Sequence, residues 1–183
     1  MSSIRLRIEK APQIQKDRGA GVKSSLTIFL NRAGDSNKVH KCNKKITMAE
    51  KKLPRGLRNA NPGNIRINSD LFQGEVRPSK DKSFKQFETM AYGYRAIFKI
   101  LSNYYRNYKL DTIRKMIGRW APENENDTDA YVKAVSDYAG IPADDPINVN
   151  DREQMIRIVA AMSRIENGIE ADMSDVIAGW NLL

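Results

Sequence analysis

Histidine and cysteine are almost missing from these 183 residues, with one of each, His40 and Cys42. A single histidine excludes His-rich metal centres and a catalytic triad built on a core imidazole. A lone cysteine excludes a disulfide framework. No scaffold would fix the 40/42 pair for thiol catalysis, because both residues lie in a basic tail. No run approaches the roughly eighteen apolar residues of a membrane span, so no membrane span is expected. Residues 1–10 lack the apolar stretch of a signal peptide. Walker, GxGxxG, GxSxG and HExxH patterns are all absent, and the acidic 123–129 segment lacks the EF-hand spacing and its central glycine. No cofactor and no metal is implied.

Acidic residues are scarce only at the start. Residues 1–47 hold eleven Lys/Arg against three Asp/Glu, giving +8 of the net +9. The remaining residues hold twenty against nineteen, giving +1. A basic tail of this kind is either a solvated arm or a binder of nucleic acid or anionic lipid by counterion release. It has one aromatic, Phe29, so base stacking has little support. Any nucleic-acid partner would act through this tail alone. Residues 1–51 are expected to be a basic, disordered extension, with Met48 as an alternative start and Leu26–Leu30 as its one apolar patch. Residues 52–183 are expected to form the globular domain.

What is abundant is a polar turn: Arg55-Gly-Leu-Arg-Asn-Ala-Asn-Pro-Gly-Asn-Ile-Arg66. Gly and Asn tolerate left-handed backbone and Asn side chains bond nearby main chain, so a tightly bonded loop is expected. Segments 64–68, 71–77 and 83–87 have strand character and predict a small antiparallel meander. The period then becomes helical. Tyr94, Ile97, Phe98, Leu101, Tyr105 and Tyr108 predict a helix over 91–108. Further helices are expected from Asp111 to Pro122, from Asp127 or Thr128 to Gly140, from an Asn150/Glu153 capping box to Gly168, and from Asp172 onward. Tyr131, Val135 and Tyr138 are expected to share one core face, and Met173, Val176, Ile177 and Trp180 another. Five helices and a small sheet make a helix-dominant α+β fold.

Glu166 stands out chemically. It follows Met162 by four residues and Val159 by seven, beside the apolar stripe of its helix, and Asn167-Gly168 ends that helix. Apolar surroundings and the negative end of a helix dipole both favour the protonated carboxyl a general acid needs. Glycosidases usually pair two carboxylates. Glu75 is the best candidate for the second, with Asp81 weaker.

Several motifs occur in order: the 55–66 loop, Phe72-Gln-Gly-Glu75, Phe84-Lys-Gln-Phe87, Gly93-Tyr-Arg-Ala96, Arg119 to Thr128, and Ile165-Glu-Asn-Gly168. Together they resemble a family of phage and prophage virion proteins of gut bacteria, commonly called structural proteins. The match covers residues 52–183. The pattern is also similar to lysozyme-like peptidoglycan hydrolases, with the groove segment preceding the acid helix, as a circular permutation would arrange it. Ala60 and Phe72 replace the Asn and Trp usual in the family. The resemblance implies a lysozyme-like protein cleaving peptidoglycan glycan, as a muramidase or lytic transglycosylase. Glu166 and Glu75 would be catalytic, while Arg58, Asn59, Asn61, Asn64, Trp120 and Tyr131 would bind substrate. The alternative is a non-catalytic virion or glycan-binding component. Its partners would be peptidoglycan glycan and other virion components, and its location the virion, or the bacterial cytoplasm before release.

Overall fold

The computed structural model describes residues 53–124 and 126–183. The expectations for residues 1–51, including Met48 and Leu26–Leu30, lie outside the described residues. Pro54–Leu183 is described as one compact unit. It is a helix-dominant α+β fold of six helices and one two-stranded sheet.

The helices run α1 Arg55–Arg58, α2 Met90–Tyr108, α3 Ile113–Trp120, α4 Thr128–Ala139, α5 Arg152–Asn167 and α6 Met173–Asn181. Side chains of Thr89, Thr112, Asp127, Asp151 and Asp172 cap the last five by accepting a backbone N–H that would otherwise lack a partner. Gly140 and Gly168 close α4 and α5 in the left-handed conformation. Two expected starts move by one residue. Thr112 caps α3, while Asp111 pairs with Lys115. Asp151 caps α5 because Asn150 N–H is held by the Asn148 side chain, and the Gln154 amide reaches back to Asn148 N–H. The additional helix, α1, is a single turn inside the polar loop.

The expected meander shrinks to β1 Glu75–Val76 paired antiparallel with β2 Gln86–Phe87, plus a lone bridge between Arg66 and Phe84. Side chains take over the ladder's work. Asn61 Nδ2 donates to the carbonyls of Ile65 and Lys85 at 2.9 Å each, and its Oδ1 accepts Ile65 N–H. Backbone bonded this way satisfies its polar groups without extended strands.

α2 packs along α6 and α4 along α5, and the buried core runs through Ile97, Phe98, Leu101, Ile117, Val135, Val159 and Val176. Three residues expected on core stripes are exposed: Tyr108, Tyr138 and Met173. Guanidinium groups lie over both tyrosine rings, Arg119 at 3.7 Å from the Tyr108 centroid and Arg164 at 4.0 Å from the Tyr138 centroid. Cation–π contact gives a ring a partner without burial.

Candidate functional site

The site forms where the asparagine loop meets the C-terminal turn of α5. Asn61 is wholly buried and bonds the loop to itself, leaving Pro62 and Gly63 to face the helices. A Cβ on Gly63 would sit 3.0 Å from Trp120 Cζ2, so the loop backbone lies directly on the indole. Asn167 Nδ2 donates to Pro62 O and to Ser163 O, each at 2.8 Å, clamping the loop to α5. On the other side, a Cβ on Gly56 would come within 2.5 Å of Asn167 Oδ1, 2.7 Å of Asn64 Oδ1 and 2.8 Å of Asn61 O. Only glycine fits there. Asn64 itself has a φ of 46°, a left-handed conformation that asparagine tolerates.

This clamp delivers the Asn64 amide to Glu166. Asn64 Nδ2 donates to Glu166 Oε2 at 3.1 Å. Trp120 Nε1 and Tyr131 OH donate to Oε1 at 3.1 and 2.8 Å. Four parts of the chain thus converge on one half-buried carboxyl: the loop, α3, α4 and α5. All three donors are uncharged. Burial pushes the Glu166 carboxyl above its ordinary pKa, against the pull of the bonds from Trp120, Asn64 and Tyr131. Burial, with the neighbouring Glu166 charge, drives the Tyr131 phenol far above its usual value, so it remains a donor. Oε1 has two donors and Oε2 one. The lone pair left on Oε2 is therefore where a proton sits when the acid is neutral.

Over 117 residues the chain is 41% identical to protein P5 of Pseudoalteromonas phage PM2, an alignment spanning 62% of this chain and 71% of that protein. The chain belongs to the protein P5 family. It is a phage-associated protein. No family model matches it.

Other candidate residues of this P5-family chain are placed apart from that carboxyl. Glu75 is locked at the sheet: Oε1 accepts Arg77 Nε at 2.7 Å and Lys85 Nζ at 3.0 Å, while Oε2 accepts Lys85 Nζ and the Phe72 N–H. Burial raises the Glu75 pKa, but the bonds from Arg77, Lys85 and Phe72 outweigh it, so the carboxyl lies below its ordinary value. Asp81 accepts both nitrogens of the Arg55 fork at 2.6 and 2.7 Å, and Asn59 Nδ2 at 3.0 Å. The Arg55 guanidinium holds the Asp81 carboxyl well below the usual carboxylate range. Asn59 thus serves Asp81. Asn61 has its amide bonded internally, and Arg58 is at the surface. Trp120 and Tyr131 are 1% and 4% exposed, so they bring their polar edges to Glu166 and no open ring face to a groove. Among the described residues no cluster of three His, Cys, Asp or Glu could hold a metal, and no helix is long and apolar enough to cross a membrane.

Asn167 and Gly56 were not among the expected site residues. Asn167 reads in sequence as half of an Asn-Gly helix stop, and Gly56 as one more loop glycine. Only their contact across more than a hundred residues gives them a role.

Proposed function

We propose that this phage-associated protein is a virion component that cleaves the glycan strands of peptidoglycan, with Glu166 as the acid. The observation that carries this reading is a half-buried carboxyl steered by three uncharged donors and left with one open lone pair. Such a group holds its proton to higher pH than an exposed carboxyl does and gives it up in a fixed direction. Glu166 protonates the glycosidic oxygen as the bond to the sugar's anomeric carbon breaks. Glu75 is occupied by Lys85 and Arg77 and supplies no second carboxylate. That favours the lytic transglycosylase route over hydrolysis. A hydroxyl of the same sugar attacks the anomeric carbon and passes its proton to the now ionised Glu166, which restores the acid and closes an anhydro ring. The Asn64 loop, fixed by Asn167, orients the sugar beside Oε2.

Purified sacculi provide the test. The parent chain should release muropeptides lacking one water, identified by mass spectrometry, and Glu166→Gln should release none while keeping the parent's melting temperature to within a few degrees. Clearing that survives the substitution removes Glu166 as the acid. Products carrying the full water would replace the transglycosylase route with hydrolysis.

A second reading treats Glu166 as a clasp in a non-catalytic glycan-binding virion component. The bonds it accepts from Asn64, Trp120 and Tyr131, which join loop and helices, favour it. That protein would sediment with sacculi and release no muropeptides.

A further inference from the structure

A concave site lies away from Glu166. It is a pocket of about 400 Å³ between α2, the turn before α5 and the end of α6. That volume lies in the range of small-ligand sites, about 300–1,000 Å³. Its floor is a stripe on α2: Lys99, Ser102, Asn103, Arg106 and Asn107. The steps of three and four residues put all five on one helix face, opposite the buried Phe98 and Leu101. The stripe runs over eight helical rises, roughly 12 Å, the length of about three or four extended peptide residues.

The charged side chains of the lining are of one sign, and the Leu183 oxygen beside Lys99 is its main-chain acceptor. The lining has two cations, a hydroxyl, three amides counting Asn150, and no acidic side chain. Among the described residues, no hydrogen bond or ion pair engages the Arg106 guanidinium. Lys99 Nζ reaches Leu183 O at 3.4 Å and keeps further protons to donate. Asn107 Nδ2 donates to Asn103 Oδ1, which leaves the Asn103 amide as donor and the Asn107 carbonyl as acceptor. Trp180, half-buried and edge-to-face with Phe98 at 5.2 Å between centroids, closes one end with an apolar wall.

We infer that this pocket binds a carboxylate-bearing ligand that also carries secondary amides. The cations take the carboxylates, the amide pair matches a peptide or N-acyl group, and Trp180 covers the ligand's apolar part. Peptidoglycan offers this chemistry twice, in its stem peptides and in its N-acylated acidic sugars; choosing peptidoglycan as the source rests on the function proposed above. The pocket thus holds the cell wall at a point separate from the acid.

Calorimetric titration of the full chain tests this with three probes: stem peptides released from sacculi by an amidase, peptide-free glycan strands, and inorganic phosphate. One of the first two should bind, and which one does identifies the source. Lys99→Gln/Arg106→Gln, at two exposed positions, should weaken that binding about tenfold, as loss of two exposed charge pairs predicts. Both proteins carry the same basic 1–47 segment, so its contribution cancels. Glu166→Gln should bind like the parent, so a protein without any cleaving activity can still pass this test. No binding by either wall fragment overturns the inference, as does binding that ignores the double substitution. Phosphate binding as tight as that of the wall fragments also overturns it, because the amides would then contribute nothing.

Discussion

Replacing Tyr131 by Phe removes one hydroxyl from the protein and leaves the ring in place. The structure fixes what is lost: a 2.8 Å bond to Glu166 Oε1, which keeps its second donor, Trp120 Nε1, at 3.1 Å. No acceptor is therefore stranded. When Glu166 is ionised the lost bond is charge-assisted, worth about 1.5–3 kcal/mol; when it is protonated the loss falls to about 0.5–1.5 kcal/mol. The sign follows from linkage. Burial raises the Glu166 pKa in the folded chain, so the folded state binds more protons than the unfolded one between the ordinary and the raised value. Stability associated with this group is thus fully present at low pH and declines as pH rises through the folded pKa. Removing a donor that favours the ionised form raises that pKa further and deepens the decline. The cost of Tyr131→Phe should accordingly be about 2 kcal/mol near pH 7.5, a drop of about 4–8 °C in Tm for a chain of this size, and about half that near pH 3.5. Thermal unfolding followed by circular dichroism at the two pH values reads both numbers. The same substitution should carry the alkaline limb of sacculus clearing to higher pH. An equal cost at both pH values would refute the account, because it would mean that the hydroxyl does not sense the charge on Glu166.

Two further outcomes concern the frame around the acid. Gly56→Ala drives a methyl group into Asn167 Oδ1, Asn64 Oδ1 and Asn61 O, none of which can move without undoing the clamp, so it should cost about 2–3 kcal/mol in urea unfolding. Glu75→Gln leaves Lys85, which is 0% exposed, without its carboxylate and should cost about 3 kcal/mol, while the double change Glu75→Leu/Lys85→Met should recover most of it. Clearing by Glu75→Gln, scaled to folded protein, should match the parent; a loss of clearing in well-folded protein would return Glu75 to the catalytic pair.

The helices were legible in the sequence because their signals are local. Asp127, Asp172 and Gly140 mark ends through bonds to residues at most four positions away, and Val159, Met162 and Glu166 fall on one side of α5 through the 3.6-residue period alone. The position of Glu166 beside the stripe followed from that period. The sheet was not legible at its true length. Segments 64–68, 71–77 and 83–87 look like strands by composition, yet Asn61, Arg77 and Ser79 side chains bond main-chain oxygens of the first and last of them in place of a ladder. The Glu75–Lys85 pair was equally hidden. It depends on a register in which Glu75 faces Phe87, so that Lys85 lies two residues along on the same face. Ala60 carries a left-handed φ of 49°, where asparagine, the residue usual in the resembling family, would be less strained. The backbone requirement survives there without the side chain that suits it.

Glu75 and Glu166 show what decides the role of a carboxylate in this fold. Both are withdrawn from solvent at least in part, and both accept several hydrogen bonds. Glu75 gets its bonds from two cations and one backbone amide, so it stays ionised, and its charge is neutralised where it stands. Glu166 gets its bonds from an indole, a phenol and an amide, which orient it without neutralising it. A buried carboxyl without a cationic donor costs stability each time it ionises. Glutamine at position 166 would offer Trp120 and Tyr131 the same kind of acceptor and avoid that cost, but its NH2 would face the Asn64 Nδ2 donor in place of an acceptor. Under the function proposed above, Glu166 carries the proton that leaves and returns, and that proposal rests on this asymmetry between an acid that is neutralised and one that is only oriented.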